Sequence, residues 1–406
     1  MSRFISIFSV AVLLGLVSCT EMLNTQRVAL EIPERQNWNG GALYGDIERI
    51  EAKSYELEGQ LGFEHKGELL SQTTTEFNLR GDVVSVVYVG DSMVDDESYT
   101  YDKSGRLVGK VVNYGFTRDE HRYKLDNYGC VVVDEFYSDE GMLDSSVAIS
   151  YDRAGNDIQH ISTDRFGNTR FVQDRAYDEN NNCTELIFSN GDDQVRQRET
   201  FVYDDLGRKV SFALYEGYDV LKSRIEYSYS DGEMVSTVFD GAGDMFSKSV
   251  ERYDAAGRVV QLVCYNCDDV VVSNCVTTYD ERGRVVEVCT TDGGDELLST
   301  KSYEYDANGC CVKRSDEDKQ ASSLTVVLYS YDEHKNLVRE RCYMGNSLIA
   351  QYVIEYDVVY RGATAETEIV AVEQPKAQIE QSTDAPADKQ ADVPVDELSD
   401  VPAEQI

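Results

Sequence analysis

The chain has 406 residues, with 75 acidic against 38 basic side chains and a net charge of −37. That length is enough for a large core. The acidic excess argues against a nucleic-acid backbone as partner, which needs clustered Lys and Arg, and against electrostatic attraction to anionic lipid. There are 27 Tyr and only 5 Pro, and four of the prolines (Pro375, Pro386, Pro394 and Pro402) lie near the C-terminus. The body is therefore nearly free of a residue that cannot donate a ladder hydrogen bond, as extended sheets require.

In chain order, Met1-Ser2-Arg3 is a short positive region, and Phe4 to Val17 is an apolar run. The run fits an export signal and is short for a membrane span. It ends in Leu16-Val17-Ser18-Cys19, which resembles a bacterial lipobox. The resemblance implies cleavage between Ser18 and Cys19 and acylation of Cys19, so that the lipid bilayer becomes a partner through that residue. The expected layout is a signal peptide over 1–18, a lipidated tether over 19–45, a repeat domain over 46–360 and an acidic tail over 361–406. Trp38, the single Trp, falls where the tether meets Gly40-Gly41.

The repeat domain carries aromatic marks at Phe77, Tyr101, Tyr151, Tyr177, Tyr203, Tyr229, Tyr253, Tyr279, Tyr305, Tyr331 and Tyr356, with Leu125 filling one place in phase. The spacing is about 26 residues. Asp usually follows the mark, and Gly stands four residues after it: Asp102/Gly105, Asp152/Gly155, Asp204/Gly207, Asp254/Gly257, Asp280/Gly283 and Asp306/Gly309. Asp at the first position of a type I turn accepts backbone N–H bonds, and a left-handed Gly closes the hairpin with a bulge. Asn181 suits that Gly place, Lys335 fits it poorly, and Gly232 arrives one residue early.

Seven residues after the mark the side chain is apolar (Val84, Val108, Ile158, Val260, Val338), and the next is mostly polar. That alternation reads as half-buried strands. A second turn, such as Asp164-Arg165-Phe166-Gly167 or Asp240-Gly241-Ala242-Gly243, divides each repeat into two strands. The fold class is thus all-β: an antiparallel hairpin meander of more than twenty strands. At about 4.8 Å per strand it would run roughly 110 Å if flat, so it is expected to twist or coil into a superhelical, partly wrapped ribbon with Tyr stacked between repeats.

Tyr101-Asp102-Lys103-Ser104-Gly105-Arg106-Leu107, Tyr253-Asp254-Ala255-Ala256-Gly257-Arg258-Val259 and Tyr279-Asp280-Glu281-Arg282-Gly283-Arg284-Val285 resemble the YD-repeat, or RHS-repeat, family. The resemblance covers about 75–358. It implies a β-repeat fold in an extracytoplasmic setting. Large members build sheet shells around toxin domains, and others are surface proteins associated with carbohydrate binding or cell contact. This chain is expected to lack a toxin-like C-terminal domain and to have too few repeats for a closed shell. From about Arg361 the composition turns to Ala, Glu, Asp, Gln, Thr and Pro without aromatics, a pattern expected to stay disordered.

Apart from Cys19, nine cysteines remain. Cys264, Cys267 and Cys275 are a candidate disulfide group, and with Cys289 a candidate zinc quartet, while small buried apolar residues are the plainer reading. No metal ligand set is assigned and no cofactor is expected. Gly293-Gly294-Asp295-Glu296-Leu297 and Arg80-Gly81-Asp82 look like signature peptides, but both fall on repeat turns.

The function expected is that of a non-catalytic cell-envelope lipoprotein anchored to the outer membrane. Its repeat surface would contact glycan or protein, with no nucleic-acid partner. A glycan-acting hydrolase and a purely structural spacer are the alternatives. Local function is expected where the repeat breaks its rule: around Leu125, Asn181, Ser230, Lys335 and the Cys264–Cys289 stretch.

Overall fold

The structure, a computed structural model, describes residues 43–90 and 93–362. The export signal, Ser18, Cys19, most of the tether and the tail from 363 lie outside the described residues. The rest is strand and turn: β1 Ile47–Glu58, β2 His65–Phe77, β3 Val83–Gly90, β4 Val94–Tyr101, β5 Leu107–Tyr114, β6 Thr117–Leu125, β7 Val131–Tyr137, β8 Leu143–Tyr151, β9 Asp157–Asp164, β10 Thr169–Tyr177, β11 Cys183–Asn190 and β12 Val195–Tyr203. The second half continues as β13 Lys209–Glu216, β14 Val220–Ser230, β15 Glu233–Asp240, β16 Met245–Tyr253, β17 Val259–Tyr265, β18 Val271–Tyr279, β19 Val285–Asp292, β20 Leu297–Tyr305, β21 Cys311–Asp318, β22 Ser323–Tyr331, β23 Leu337–Met344 and β24 Ile349–Tyr360.

Each strand pairs antiparallel with the next. The expected all-β meander holds throughout, but it does not remain an open ribbon. β1 also pairs with β24, with Ile50 opposite Val358 and Ser54 opposite Ile354, so the sheet closes into a 24-stranded barrel. The closing strands are the long ones. β1 and β24 have 12 residues each and β2 has 13, whereas most repeat strands have eight or nine. At about 4.8 Å per strand the circumference is roughly 115 Å, too wide for inward side chains alone to fill.

The turns form as their residues dictate. The Gly105 N–H bonds the Asp102 carbonyl at 3.0 Å. Asp102 Oδ1 accepts from the N–H groups of Ser104 and Arg106 at 2.8 and 2.9 Å, and Gly105 takes φ 84°. Bonds of this kind recur at Asp152, Asp204, Asp254 and Asp280. At Asp306, the N–H groups of Gly309 and Cys310 bond its carbonyl and carboxylate.

Two glycines of the series qualify the single rule. Gly155, at φ 96°, stands 3.3 Å from the Asp152 carbonyl, so its N–H is held chiefly by Asp152 Oδ1 at 2.9 Å. Gly207, at φ 73°, bonds the Asp204 carbonyl at 2.9 Å in the ordinary way. Yet nothing lies within 4 Å of where its Cβ would stand. Glycine is needed at 207 for its left-handed backbone alone, not for a close approach.

Lys335 corrects the reading of a misfit. It takes φ 71° and its N–H bonds the Asp332 carbonyl at 3.1 Å, the same turn as the others. The early Gly232 makes a different turn, a two-residue loop with Ser230 opposite Glu233.

Register sorts the strands into two faces. The marks and the apolar residues seven places on share one face, the tyrosine face. For example, Tyr99 lies opposite Lys110 and Val112 opposite Glu97. Most side chains on both faces are half-buried, and the fully buried clusters gather beside the closure. Tyr343, with no exposed surface, packs with Leu57, Val326, Ala350 and Val353, and its hydroxyl bonds Glu64 at 2.9 Å. Ile47, Ile50, Phe77 and Tyr356 form the second cluster.

The turn of the poorly fitting Lys335 supplies a clasp. Asn336, 2 % exposed, accepts from the Tyr44 N–H at 2.9 Å and donates to the Tyr44 carbonyl and the Tyr360 hydroxyl at 2.8 and 2.6 Å. Asn336→Ala leaves all three groups without this partner. Each such bond contributes about 0.5–1.5 kcal/mol net, so for the three together urea unfolding is expected to show a loss of about 2–4 kcal/mol. A loss within about 0.5 kcal/mol, typical of a surface change, would show that the clasp holds nothing.

Candidate functional site

The repeat motif is a set of interlocking contacts. The hydroxyls of most marks donate to a carbonyl of the preceding repeat: Tyr203 to Cys183 at 2.9 Å, Tyr229 to Lys209 at 2.7 Å, Tyr279 to Val259 at 2.7 Å, Tyr305 to Val285 at 2.8 Å and Tyr331 to Cys311 at 2.9 Å, whereas Tyr253 donates to the Glu251 carboxylate. Arg at the turn's end pairs with its own Asp, as in Arg208–Asp204, Arg258–Asp254 and Arg284–Asp280. Its guanidinium also sits over the next mark, 4.3 Å from the Tyr229 ring, 4.5 Å from Tyr279 and 4.3 Å from Tyr305. At some turns the Gly also makes room for the Arg of the repeat before: a Cβ at Gly283 would stand 2.9 Å from the Arg258 guanidinium. The repeat before Gly207 has no such Arg, since Asn182 holds that place, and Gly207 is correspondingly uncrowded. Where Asn181 replaces Gly, Asn156, the residue after Gly155, occupies the Arg place and donates to Asn181 at 3.0 Å.

Asp102, Gly105 and their crowded counterparts are therefore joints between repeats, whereas Gly207 shapes only its own turn. The tyrosine hydroxyls of this ladder are already engaged. Burial pushes Tyr329 up to about 12, while the Glu251 carboxylate, helped by burial, does the same for Tyr253.

Hydrogen bonds from Arg208 hold Asp204 below the ordinary carboxylate range. Arg258 does so for Asp254, and the Arg284 backbone and side chain for Asp280. A depressed carboxylate contributes stability that is full above its unfolded pKa, near 4, and is lost as pH falls through its folded value. Thermal melts between pH 7 and pH 2.5 should therefore drop less steeply below about pH 4 in an Asp204→Asn/Asp254→Asn/Asp280→Asn variant than in the wild type. Parallel curves would contradict the assignment.

The signature peptides dissolve into the same pattern. Asp82 is buried, 3 % exposed, and its carboxylate pairs with Arg80, whose guanidinium also bonds the Ser104 carbonyl. Arg80-Gly81-Asp82 is thus engaged within the rim. Asp295 takes the left-handed place (φ 64°) of an ordinary mid-repeat turn.

The cysteine group does not assemble. Cys264, Cys267 and Cys275 are free thiols, which corrects the candidate disulfide. Cys264 lies opposite Ser273 and Cys275 opposite Leu262, while Cys267 is exposed in a turn. Cys275 faces Thr290 and Val276 faces Cys289, so Cys275 and Cys289 point to opposite faces. Among the described residues, no cluster of three or more His, Cys, Asp or Glu is placed to hold a metal. His121 bonds Asp134 at 2.9 Å, and that carboxylate raises its pKa; burial lowers that of His160.

The clefts are shallow. One, bounded by Leu43, Asp46, Phe77 and Arg80, holds a single carboxylate, Asp46, paired with Arg361. Another lies over the turns at Asp280 and Asp306 and is lined by three carboxylates, Asp280, Glu281 and Asp306, of which Asp280 is held by Arg284.

The two rims differ. The YD turns, Tyr44 before β1 and Arg361 after β24 all lie at one rim, where the Arg361 N–H bonds the Asp46 carbonyl at 2.8 Å. The opposite rim carries Phe63, Phe116, Phe166 and Tyr218 on hairpin tips, all exposed. Nothing in the repeat pattern anticipates these tips, since they follow no repeat rule.

One family matches residues 199–321, and its description is an uncharacterised protein. No curated protein matches. Among solved structures, the chain is similar to TcdB2-TccC3-TEV at 10% identity, covering 75% of this chain and 25% of that one, with a TM-score of 0.21. It is also similar to a porin-like protein from Bacteroides uniformis ATCC 8492 at 12% identity, covering 78% and 99%, with a TM-score of 0.24. The chain spans about a quarter of the first of these. Likenesses this low carry no argument about what the chain does.

Proposed function

We propose that this chain is a cell-envelope lipoprotein that works by binding or scaffolding rather than by catalysis. Its repeat barrel is carried on the outer membrane by acylated Cys19, and it contacts a glycan or a protein. The observation that supports this reading most is the polarity of the barrel. Chain entry at Tyr44 and exit at Arg361 share one rim, and the exposed Phe116, Phe166 and Tyr218 tips stand at the other. A tether at the first rim turns the second away from the membrane. A structural spacer is the second reading, favoured by hydroxyls and guanidinium groups engaged within the sheet.

Two measurements test the proposal. Metabolic labelling with a palmitate analogue should tag the wild type and not Cys19→Ala, which should leave the membrane fraction; an untagged wild type would overturn the anchoring. Capture from envelope extracts, with a glycan array alongside, should return a ligand. An empty result from both would leave the spacer.

A further inference from the structure

Across β12 to β17, the face opposite the tyrosine face carries cations and aromatics in alternation. Arg198 on β12 lies over Tyr215 on β13, 5.0 Å from its ring, and 4.8 Å from the Tyr218 ring. Arg224 on β14 lies over Phe239 on β15 at 4.7 Å. Lys248 on β16 lies over Tyr265 on β17 at 4.2 Å. Register places all six on one face, with Arg198 opposite Tyr215, Arg224 opposite Phe239 and Lys248 opposite Tyr265. The same face of β10 to β16 adds Arg170, Arg196 and Arg252 against Asp174, Glu185, Glu226 and Glu233. Basic residues outnumber acidic ones here, in a chain whose net charge is −37.

From this stripe we infer that the barrel binds a linear acidic polysaccharide carrying an anion, carboxylate or sulfate, on each disaccharide. The inference rests on the proposed binding role and names its ligand class. Cations on alternate strands stand about 10 Å apart along the sheet, close to the length of one disaccharide. Seating each on an aromatic ring fixes its position before the ligand arrives, which lowers the ordering cost of binding.

One acidic neighbour steadies each cation: Glu185 for Arg198, Glu226 for Arg224 and Asp269 for Lys248. A guanidinium has five donors, so one carboxylate does not exhaust it. Arg224 Nε is buried with no hydrogen-bond partner. The charge of the rest of the chain is screened beyond about 8 Å at physiological salt, so a local basic stripe attracts a polyanion in spite of it.

The test measures binding of the full chain to immobilised hyaluronan, chondroitin sulfate and neutral dextran at low and physiological salt. It compares the wild type with Arg198→Gln/Arg224→Gln/Lys248→Gln and with Lys53→Gln/Lys124→Gln/Lys313→Gln. The second variant makes the same charge change elsewhere. Circular dichroism checks that both are folded.

The expected result is salt-sensitive retention on hyaluronan that weakens at least about tenfold in the stripe variant, the cost of about 1.4 kcal/mol, and little in the control. Retention only on chondroitin sulfate, with the same dependence, assigns the anion as sulfate and upholds the surface. Equal losses in both variants, or no retention on either acidic polymer, overturn the inference. If dextran or an envelope protein is then still bound, the broader binding role stands; if nothing is bound, both fail.

Discussion

Tyr343→Ala is expected to destabilise the barrel by about 3–5 kcal/mol, the range for removing a buried aromatic ring. The side chain has no exposed surface and touches Leu57, Val326, Ala350 and Val353, which belong to β1, β22 and β24. One ring thus packs both sides of the junction that closes the sheet. Its loss also takes the hydroxyl from Glu64, which then depends on the Gly62 N–H and Arg341 for its remaining partners. Glu64 is set by opposing effects: burial pushes its pKa up, while hydrogen bonds from the backbone and Tyr343, with the Arg341 charge, hold it below the ordinary range. Tyr343→Phe removes only the hydroxyl and should cost about 0.5–1.5 kcal/mol. Urea titration of the three proteins checks this; an Ala variant no weaker than the Phe variant would mean the ring does not hold the junction.

The second large effect is cumulative. Replacing Tyr203, Tyr229, Tyr279, Tyr305 and Tyr331 together with Phe removes five hydroxyl-to-carbonyl bonds between repeats. Each is expected to contribute about 1 kcal/mol, so the fivefold variant should lose about 5 kcal/mol. The marks are about 10 Å apart along the sheet, far enough for their effects to add. Repeat proteins behave as sums of neighbour terms, so single variants should predict the combination within about 1 kcal/mol. A fivefold variant as stable as the wild type would show that ring packing and the Arg stack hold the repeats without the hydroxyl.

Much of this structure is legible in the sequence because it is local. The mark, Asp and Gly specify one turn, and the Val seven places on specifies which face the next strand buries. Arg106, Arg208, Arg258 and Arg284 recur at one place in the motif, yet their seat beside the following repeat is not legible there, because it joins residues about twenty apart on neighbouring hairpins. The same distance hides why Gly283 is crowded and Gly207 is not, although both close the same turn. Closure was not legible at all. The junction strand β1 precedes the first mark, and its pairing with β24 joins residues some three hundred apart. No periodic pattern encodes where a sheet meets itself. The clasp beside Lys335 is hidden for the same reason, since Asn336 reaches a distant Tyr44. The basic stripe was hidden too, because its members alternate with polar residues and come together only through register.

The pairing of β1 with β24 also sets the order in which the molecule must assemble. The other strand pairs join neighbours in sequence and form by zipping one hairpin onto the next, a fast process. The last pair must bring together ends separated by almost the whole domain, a loop-closure cost of roughly 5 kcal/mol met only when the curved sheet already holds them near each other. Until then the chain carries two bare strand edges, each a template for another chain. The final step of folding therefore ends its exposure to self-association, and a folding helper would act most usefully on the unclosed ribbon.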